Sequence, residues 1–442
     1  MPQIFLSDEA WSPKQASCQL ARANAKSDGK RWQQKFQVCG RVWYKFAKAN
    51  GEWYRTLAHA MKTANPTITA IITTYRRPKL LKRAILSVLK QTYPHFQICI
   101  YDNASDDETE KIVHGLMRKD ARIKYHRHLQ NIGMMGNYAY AFSQIETPYY
   151  ALLSDDDYLL PNFYETAIQG FKKHPDAAFS ACGVLQMDEA GKLMGDTLSL
   201  WKTEGYYSPP EGLLEMISTR CKFPVPTGVL FQTQFAQTIT PDLTEEIKIY
   251  WDPNYLIQIA AKYSIVIQKK PCAIYQVHSG SFAGSFYQDL LKEIAESEKY
   301  LIATCKILSS LKSNLYLNQE SKMRAYALFL DYVQRDVIAF MKGFMVKHKF
   351  AAAQFLAQKY RERLGLSLKI QAYCTLAFGL HSLSLSGIWC FELVKRIRKL
   401  FLPHQIRKIL FPRNYPSGTR TTSTSELNNY HVYGQNLFDE PF

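Results

Sequence analysis

From Thr67 onward, short β-branched apolar runs alternate with longer stretches in which apolar residues recur at helical spacing. Thr67–Thr73 (TITAIIT) predicts a first strand. Pro78 then opens PKLLKRAILSVLKQ, a helix whose first position tolerates proline. Gln97–Tyr101 (QICIY) predicts a second strand, RIKYH a third and Tyr149–Ser154 a fourth, with helices after the acidic turn ASDDETE and after Gly133. Strands that alternate with helices of roughly 10–15 residues imply a parallel sheet with right-handed crossovers. Ala273–Val277 predicts a last strand. Beyond about Tyr287 the pattern turns long and helical, from DLLKEIAESEKYLIATCKILSSLK through AYALFLDYVQRDVIAFMKGFMV. Before the first strand, Trp32, Phe36, Val38, Trp43, Phe46 and Trp53 lie among many basic residues and suggest amphipathic helical pieces.

The expected organisation is a basic helical extension over 1–64, an α/β domain over 65–285 with halves 65–160 and 161–285, a helical basic region over 286–412, and a disordered Ser/Thr/Asn-rich tail over 413–442. With 442 residues, 47% of them hydrophobic, the chain has ample material for cores. Its 55 Lys+Arg against 38 Asp+Glu favour a polyanionic partner. Nucleic acid is not expected, because the N-terminal aromatics carry no recognisable nucleic-acid-binding motif. Nine cysteines, scattered singly with no CxxC pair, argue for reduced thiols in a cytosolic compartment and against a disulfide framework or zinc site. The opening MPQIFLSDEAW lacks a basic segment followed by a long apolar core, so no secretory signal is expected.

Two C-terminal stretches bear on membranes. Ile370–Phe391 contains no formally charged side chain and is long enough to cross a bilayer, but Gln371, Thr375, His381, Ser382, Ser384 and Ser386 interrupt its apolar surface. The following ELVKRIRKLFLPHQIRKILFPR sets seven Lys and Arg among aliphatic and aromatic residues, which suits either an anionic membrane face or a packed helix with a solvated basic side.

Candidate chemistry gathers where predicted strands end. The apolar run Tyr149–Ser154 stops at Asp155, Asp156 and Asp157, three carboxylates that need water, a cation or a cationic ligand. Read alone, the triplet fits a solvated turn as well as a divalent-cation site. Thr74, Tyr75 and Asp102 also fall at carboxyl ends of predicted strands, the edge at which open α/β sheets bind ligands. Asp252 precedes Pro253 and reads in isolation as a helix N-cap. His278 follows the last predicted strand of the domain.

Taken together, TTYRRP, YDNASDDET, QNIGMMGNYAYAF and LLSDDDYLLPN, in that order after four successive strands, resemble the inverting family 2 glycosyltransferases. The resemblance covers about residues 66–285. It implies a GT-A fold, Rossmann-like with a mostly parallel sheet, carrying an N-terminal helical extension and a C-terminal α-helical region. It also implies that Thr74, Tyr75 and Arg77 wrap the nucleotide, that Asp102 reads its base, and that Asn131, Gly133 and Asn137 close over base and ribose. Asp155 becomes a sugar or ribose contact. Asp156 becomes the metal ligand of the DXD element, with His278 assisting and Asp157 a further candidate; Ser154 stands where many members have the first aspartate. Asp252 becomes the general base, with Trp251 in place of the first member of the family's Glu-Asp pair.

The expected activity is transfer of a sugar, with inversion, from a nucleotide diphosphate donor, UDP most often among similar enzymes. The expected cofactor is Mn²⁺ or Mg²⁺, and the acceptor a hydroxyl of a glycan or lipid-linked intermediate of a bacterial surface polysaccharide. The expected place is the cytoplasm, peripheral on the inner face of the cytoplasmic membrane. Two other classes share parts of the pattern. A nucleotidyltransferase would ordinarily show a glycine-rich phosphate loop, which TTYRRP lacks. A non-catalytic membrane scaffold would have no use for Asp252, His278 and the triplet together.

Overall fold

The computed structural model describes residues 68–199, 201–218, 223–278, 294–347, 349–382 and 424–439. The basic N-terminal extension, the basic segment after Phe391 and most of the hydroxyl-rich stretch after Asn414 lie outside these residues.

The first half follows the apolar pattern closely. Strands β1 (Ile68–Thr74), β2 (Phe96–Asp102), β3 (Ile123–Arg127) and β4 (Tyr149–Ser154) alternate with helices α1 (Pro78–Leu89), α2 (Thr109–Met117) and α3 (Gly133–Ser143). These four strands pair in parallel in the order β3-β2-β1-β4. Nearly every residue of β1, β2 and β4 is buried, as expected where helices cover both faces of a parallel sheet. The register sets Thr74 opposite Asp102 and Thr73 opposite Ser154, so three strand ends meet at one edge.

After β4 the sheet becomes mixed. The chain continues through β5 (Tyr158–Leu159), α4 (Phe163–Lys173), β6 (Ala177–Asp188), β7 (Leu193–Asp196), β8 (Gly205–Tyr207), α5 (Glu211–Ser218), β9 (Val229–Gln232), α6 (Trp251–Lys262) and β10 (Ser264–Val277). The full order is β3-β2-β1-β4-β9-β6-β10-β5, with β7 on β6 and β8 on β10. β9 runs antiparallel to both β4 and β6, and β5 antiparallel to β10, while the long strands β6 and β10 pair in parallel, so the sheet is mostly parallel, as expected, with short antiparallel strands inserted in its second half. Short antiparallel strands in loop-rich sequence carry too weak a period to be seen.

The helices α7 (Ile294–Ser313), α8 (Gln319–Val346), α9 (Phe350–Leu364) and α10 (Leu368–Ser382) are not a separate body. Tyr300, Leu301, Phe329 and Phe344 are buried in the same apolar core as Phe231, Tyr255 and Ile257 of the α/β region. No helix among the described residues is long and apolar enough to cross a membrane; of the uncharged stretch, only the part up to Ser382 is among them, within α10. The expectation of a disordered tail fails over α11 (Thr424–Asp439), a helix that packs on α1 and whose Leu437 is fully buried in the same core as α1. Its polar composition hid a three-residue apolar seam, Tyr430, Tyr433 and Leu437, at helical spacing.

Gly183 marks where β6 and β10 slip register, beside Pro271, whose missing N–H breaks the ladder there. A Cβ on Gly183 would stand 2.6 Å from the Lys269 carbonyl oxygen. Gly183→Ala should therefore cost about 1–3 kcal/mol, read as a lower melting temperature in scanning calorimetry with the helical content of the folded protein unchanged.

Candidate active site

The edge at which β1, β2 and β4 end opens into a cavity of ≈ 390 Å³. Of the residues singled out from sequence, Thr74, Tyr75, Arg77, Asn131, Asn137, Asp155 and Asp156 line it. The backbone is arranged for this. Arg76 and Ala104 adopt left-handed conformations (φ 55° and 62°), uncommon for residues with a Cβ, in the loops after β1 and β2. The two loops are tied together by the Arg76 amide donating to Ser105 Oγ (2.8 Å) and by the Arg76 guanidinium on Asp106 (2.6 Å).

Asp155 and Asp156 are both buried, and adjacent buried carboxylates demand a countercharge. Arg77 supplies it. Its Nη1 donates to Asp155 Oδ1 (3.1 Å) and Asp156 Oδ2 (2.8 Å), while Thr74 Oγ1 donates to Asp155 Oδ2 (2.7 Å). Pro78, at the first position of α1, fixes where that helix starts and so where Arg77 stands. Burial pushes the Asp155 carboxyl up to about 6, against the pull of Arg77. Burial also works on Asp156, but there it is outweighed by the His278 hydrogen bond and the charges of Arg77 and His278, which hold its carboxyl below the usual range.

His278 arrives from the far side of the sheet. The antiparallel pairing of Tyr158 with Ile274 folds the chain after the triplet onto β10, and His278 Nε2 then lies 3.2 Å from Asp156 Oδ2. That separation is close to the edge of an octahedral shell with bonds near 2.1 Å, about 3 Å. Among the described residues no group of three His, Cys, Asp or Glu could hold a cation alone. A hard cation here would take two protein donors and complete its shell from phosphate and water, the usual manner of Mg²⁺.

Two of the expected site residues are buried away from the cavity lining. Asp102 does not line the cavity: it is fully buried, its Oδ1 accepts from the Ser105 amide (2.9 Å) and its Oδ2 from the Tyr125 hydroxyl (2.6 Å). Its neighbour Asn103 faces the cavity instead, donating to Asn131 Oδ1 (3.0 Å) and accepting from the Ile132 amide (2.8 Å). Asp157 is likewise fully buried, with Oδ2 accepting from Thr227 Oγ1 (2.5 Å) and Oδ1 from the Gln276 amide (3.0 Å). It ties the β4–β5 turn to β10 and offers no oxygen to a cation. Burial and the adjacent Asp156 charge push its carboxyl well up.

Gly133 takes φ +78° at the start of α3, its amide donating to Asn131 Oδ1 (2.8 Å), so it shapes the Asn131 loop rather than lining the cavity. Asn137 donates to the Tyr101 carbonyl (2.9 Å). Thr73, Asn103, Met134, Tyr138 and Ser154 also line the cavity and were not assigned roles from sequence. Met134, Asn137 and Tyr138 share one helix face at i, i+3 and i+4, the spacing that could have revealed them. Tyr138 links the cavity to the second half of the domain. Its hydroxyl bonds Thr73 and feels the charges of Asp155, Asp252 and Asp156, and its ring packs 4.7 Å from that of Trp251. Asp252 itself is not the N-cap of α6; Tyr250 holds that position, and Asp252 lies in the first turn, where the helix dipole favours a carboxylate. Burial nevertheless pushes it up to about 7.

The sequence matches glycosyl transferase family 2 over residues 69–233, the span that carries β1 through β9 and the cavity. Residues 69–233 are a family 2 glycosyltransferase domain. The chain is 31% identical over 134 residues to the GalNAc(5)-diNAcBac-PP-undecaprenol beta-1,3-glucosyltransferase of Campylobacter jejuni, covering 29% of this chain and 43% of that protein. An uncharacterized glycosyltransferase of Rickettsia conorii is 25% identical over 316 residues, 71% of this chain and 47% of its own length. The chain thus spans less than half of each of these relatives. Among solved structures, S. aureus TarS 1–349 in complex with UDP-GlcNAc superposes with a TM-score of 0.51 at 17% identity, covering 72% of this chain and 92% of that one. At that identity the likeness establishes the GT-A fold expected for the family 2 domain.

Asp157→Ala would leave the Thr227 hydroxyl and the Gln276 amide without their acceptor in a dry interior, at a cost of about 1–3 kcal/mol. Urea unfolding should show that loss, and a smaller one for Asp157→Asn, which keeps one acceptor.

Proposed function

We propose that this chain is a metal-dependent, inverting glycosyltransferase that moves a sugar from a nucleotide diphosphate donor, a UDP-sugar foremost, to a hydroxyl of a glycan or lipid-linked acceptor. The observation that carries the reading is the convergence of Thr74, Arg77, Asp155 and Asp156 on one cavity edge of the family 2 domain, with His278 brought onto Asp156 by β10. The undecaprenol-linked substrate named for the Campylobacter relative and the UDP-GlcNAc bound to TarS support the donor and acceptor classes. A surface-polysaccharide role at the inner face of the cytoplasmic membrane fits the same relative. The basic stretch that would meet that membrane lies outside the described residues.

In this reading the donor's diphosphate lies against the edge formed by Arg77, Asp155 and Asp156. A Mn²⁺ or Mg²⁺ ion held by Asp156 and His278 would neutralise the charge that develops on the diphosphate as the glycosidic bond breaks. Arg77, already on both carboxylates, is within reach of the same phosphates as a bidentate donor. Asp155, oriented by Thr74, faces the sugar and ribose. Asn103 and Asn131 present amides where the base would lie, in place of the Asp102 carboxylate. Asp252 takes the proton from the acceptor hydroxyl as it attacks the anomeric carbon from the face opposite the diphosphate, which inverts that carbon. Tyr138, which lines the cavity and feels the charges of Asp155, Asp156 and Asp252, lies between the two carboxylate sets and would border the space shared by donor and acceptor.

Calorimetric titration with UDP, with and without Mn²⁺, followed by a screen of nucleotide sugars for hydrolysis, tests the donor half. Asp156→Ala should weaken UDP binding in Mn²⁺ by at least about tenfold, and undiminished binding would remove Asp156 from the site. The base half has a pH signature. With its carboxyl near 7, Asp252 is protonated and inactive below that pH and becomes the working carboxylate above it, so kcat/KM should climb through a midpoint near 7 as pH rises. Asp252→Asn should lower kcat by about 10²–10⁴, abolish that acid limb and leave UDP affinity as it was.

A further inference from the structure

Arg83 is 2% exposed, deep inside α1, and none of the roles above uses it. Its Nη2 donates to the backbone carbonyl of Asp156 and its Nη1 to Gln276 Oε1 (3.1 Å). Gln276 in turn donates its amide to Asp157 (3.0 Å) and its side chain to the Met187 carbonyl (3.2 Å), two residues before His278 on β10. One guanidinium therefore spans the two segments that present Asp156 and His278 to each other. Burial alone opposes its charge; Tyr158, Asp157 and Asp156 support it.

The guanidinium stacks 4.7 Å over the Tyr158 ring. Tyr158 is covered from outside by α11. Its hydroxyl donates to the Tyr430 carbonyl (3.3 Å), the Tyr433 ring packs at 6.4 Å, and Gly434 approaches so closely that a Cβ there would stand 2.5 Å from the phenol Cζ and oxygen. The same helix packs His431 against Gly191, in the turn between β6 and β7. A cation–π contact shielded from water is worth more than an exposed one, so the helix that excludes solvent from Tyr158 also strengthens the hold on Arg83.

We propose that α11 is an intramolecular brace for the donor site, acting through Tyr158 and Arg83 as positioning residues that keep Asp156 and His278 in register. Gly434 is the contact that seats it, since no side chain fits between the helix and the phenol. The consequence for donor binding rests on the transferase reading above, whereas the effect on the segments around Asp156 and His278 does not.

The test uses the full chain carrying Gly434→Leu together with Leu437→Asp, which wedges the helix off Tyr158 and places a charge in its buried seat. Hydrogen exchange should accelerate not only over 424–439 but over 154–160 and 274–277, and the Mn²⁺ concentration giving half-maximal UDP binding should rise about tenfold. Donor KM should rise with it while kcat at saturating donor and metal changes little, a split that general loss of folded protein would not produce. Arg83→Lys, with the helix left seated, serves if the double variant does not fold. Lysine keeps the charge but cannot reach both acceptors, so the same two segments should exchange faster. Unchanged exchange at 154–160 and 274–277, in the double variant with its helix released or in Arg83→Lys, overturns the brace. Absence of any Mn²⁺-dependent UDP binding by the unsubstituted chain would instead overturn the transferase reading, and the exchange measurement would still decide the brace.

Discussion

Two neighbouring carboxylates held out of water at the end of a buried strand cannot both keep their charge unless something positive is brought to them, and much of this structure answers that requirement. Arg77 is delivered by the start of α1, His278 by the last strand of the sheet, and Thr74 by the strand alongside. Each comes from a different segment, so the site exists only when β1, β4 and β10 occupy one sheet. The third aspartate shows the alternative solution. Asp157, one residue further on, turns away from the cavity, accepts two hydrogen bonds and becomes a rivet between the β4–β5 turn and β10.

The division of labour among the three aspartates follows from their directions. Successive residues leaving a strand point to different sides, so one triplet can furnish two carboxylates at the cavity and an internal tie. The internal tie matters for the other two, because the segment that carries them has a single short strand, β5, to anchor it. Arg83 and the helix packed behind Tyr158 add the remaining support from below. Chemistry at the surface of the cavity thus depends on a buried polar network, which must be satisfied throughout to be stable.

The second half of the domain places its carboxylate differently. Burial beside Trp251 and Tyr138 raises the Asp252 carboxyl toward neutrality, which is where the proposed general base would be most effective. Separate environments thus push two carboxylates of the same α/β region in opposite directions, Asp156 below the usual range and Asp252 above it.

The sequence by itself determined the first four parallel strands, because β1, β2 and β4 are buried on both faces and read as continuous apolar runs. It also led to one edge for Thr74, Tyr75, Asp102 and the Asp155–Asp157 cluster, since strand ends follow from the βα alternation. Tertiary structure alone decided which carboxylates are open. Asp102 and Asn103 are neighbours with similar shapes, and only the positions of Ser105 and Tyr125 assign the first to the interior and the second to the cavity. Local pattern likewise could not reveal that residues 424–439 fold into a helix, whose seat is a phenol ring some 270 residues earlier in the chain. Contacts of that separation leave no period in the sequence; they are set by where the sheet carries each segment.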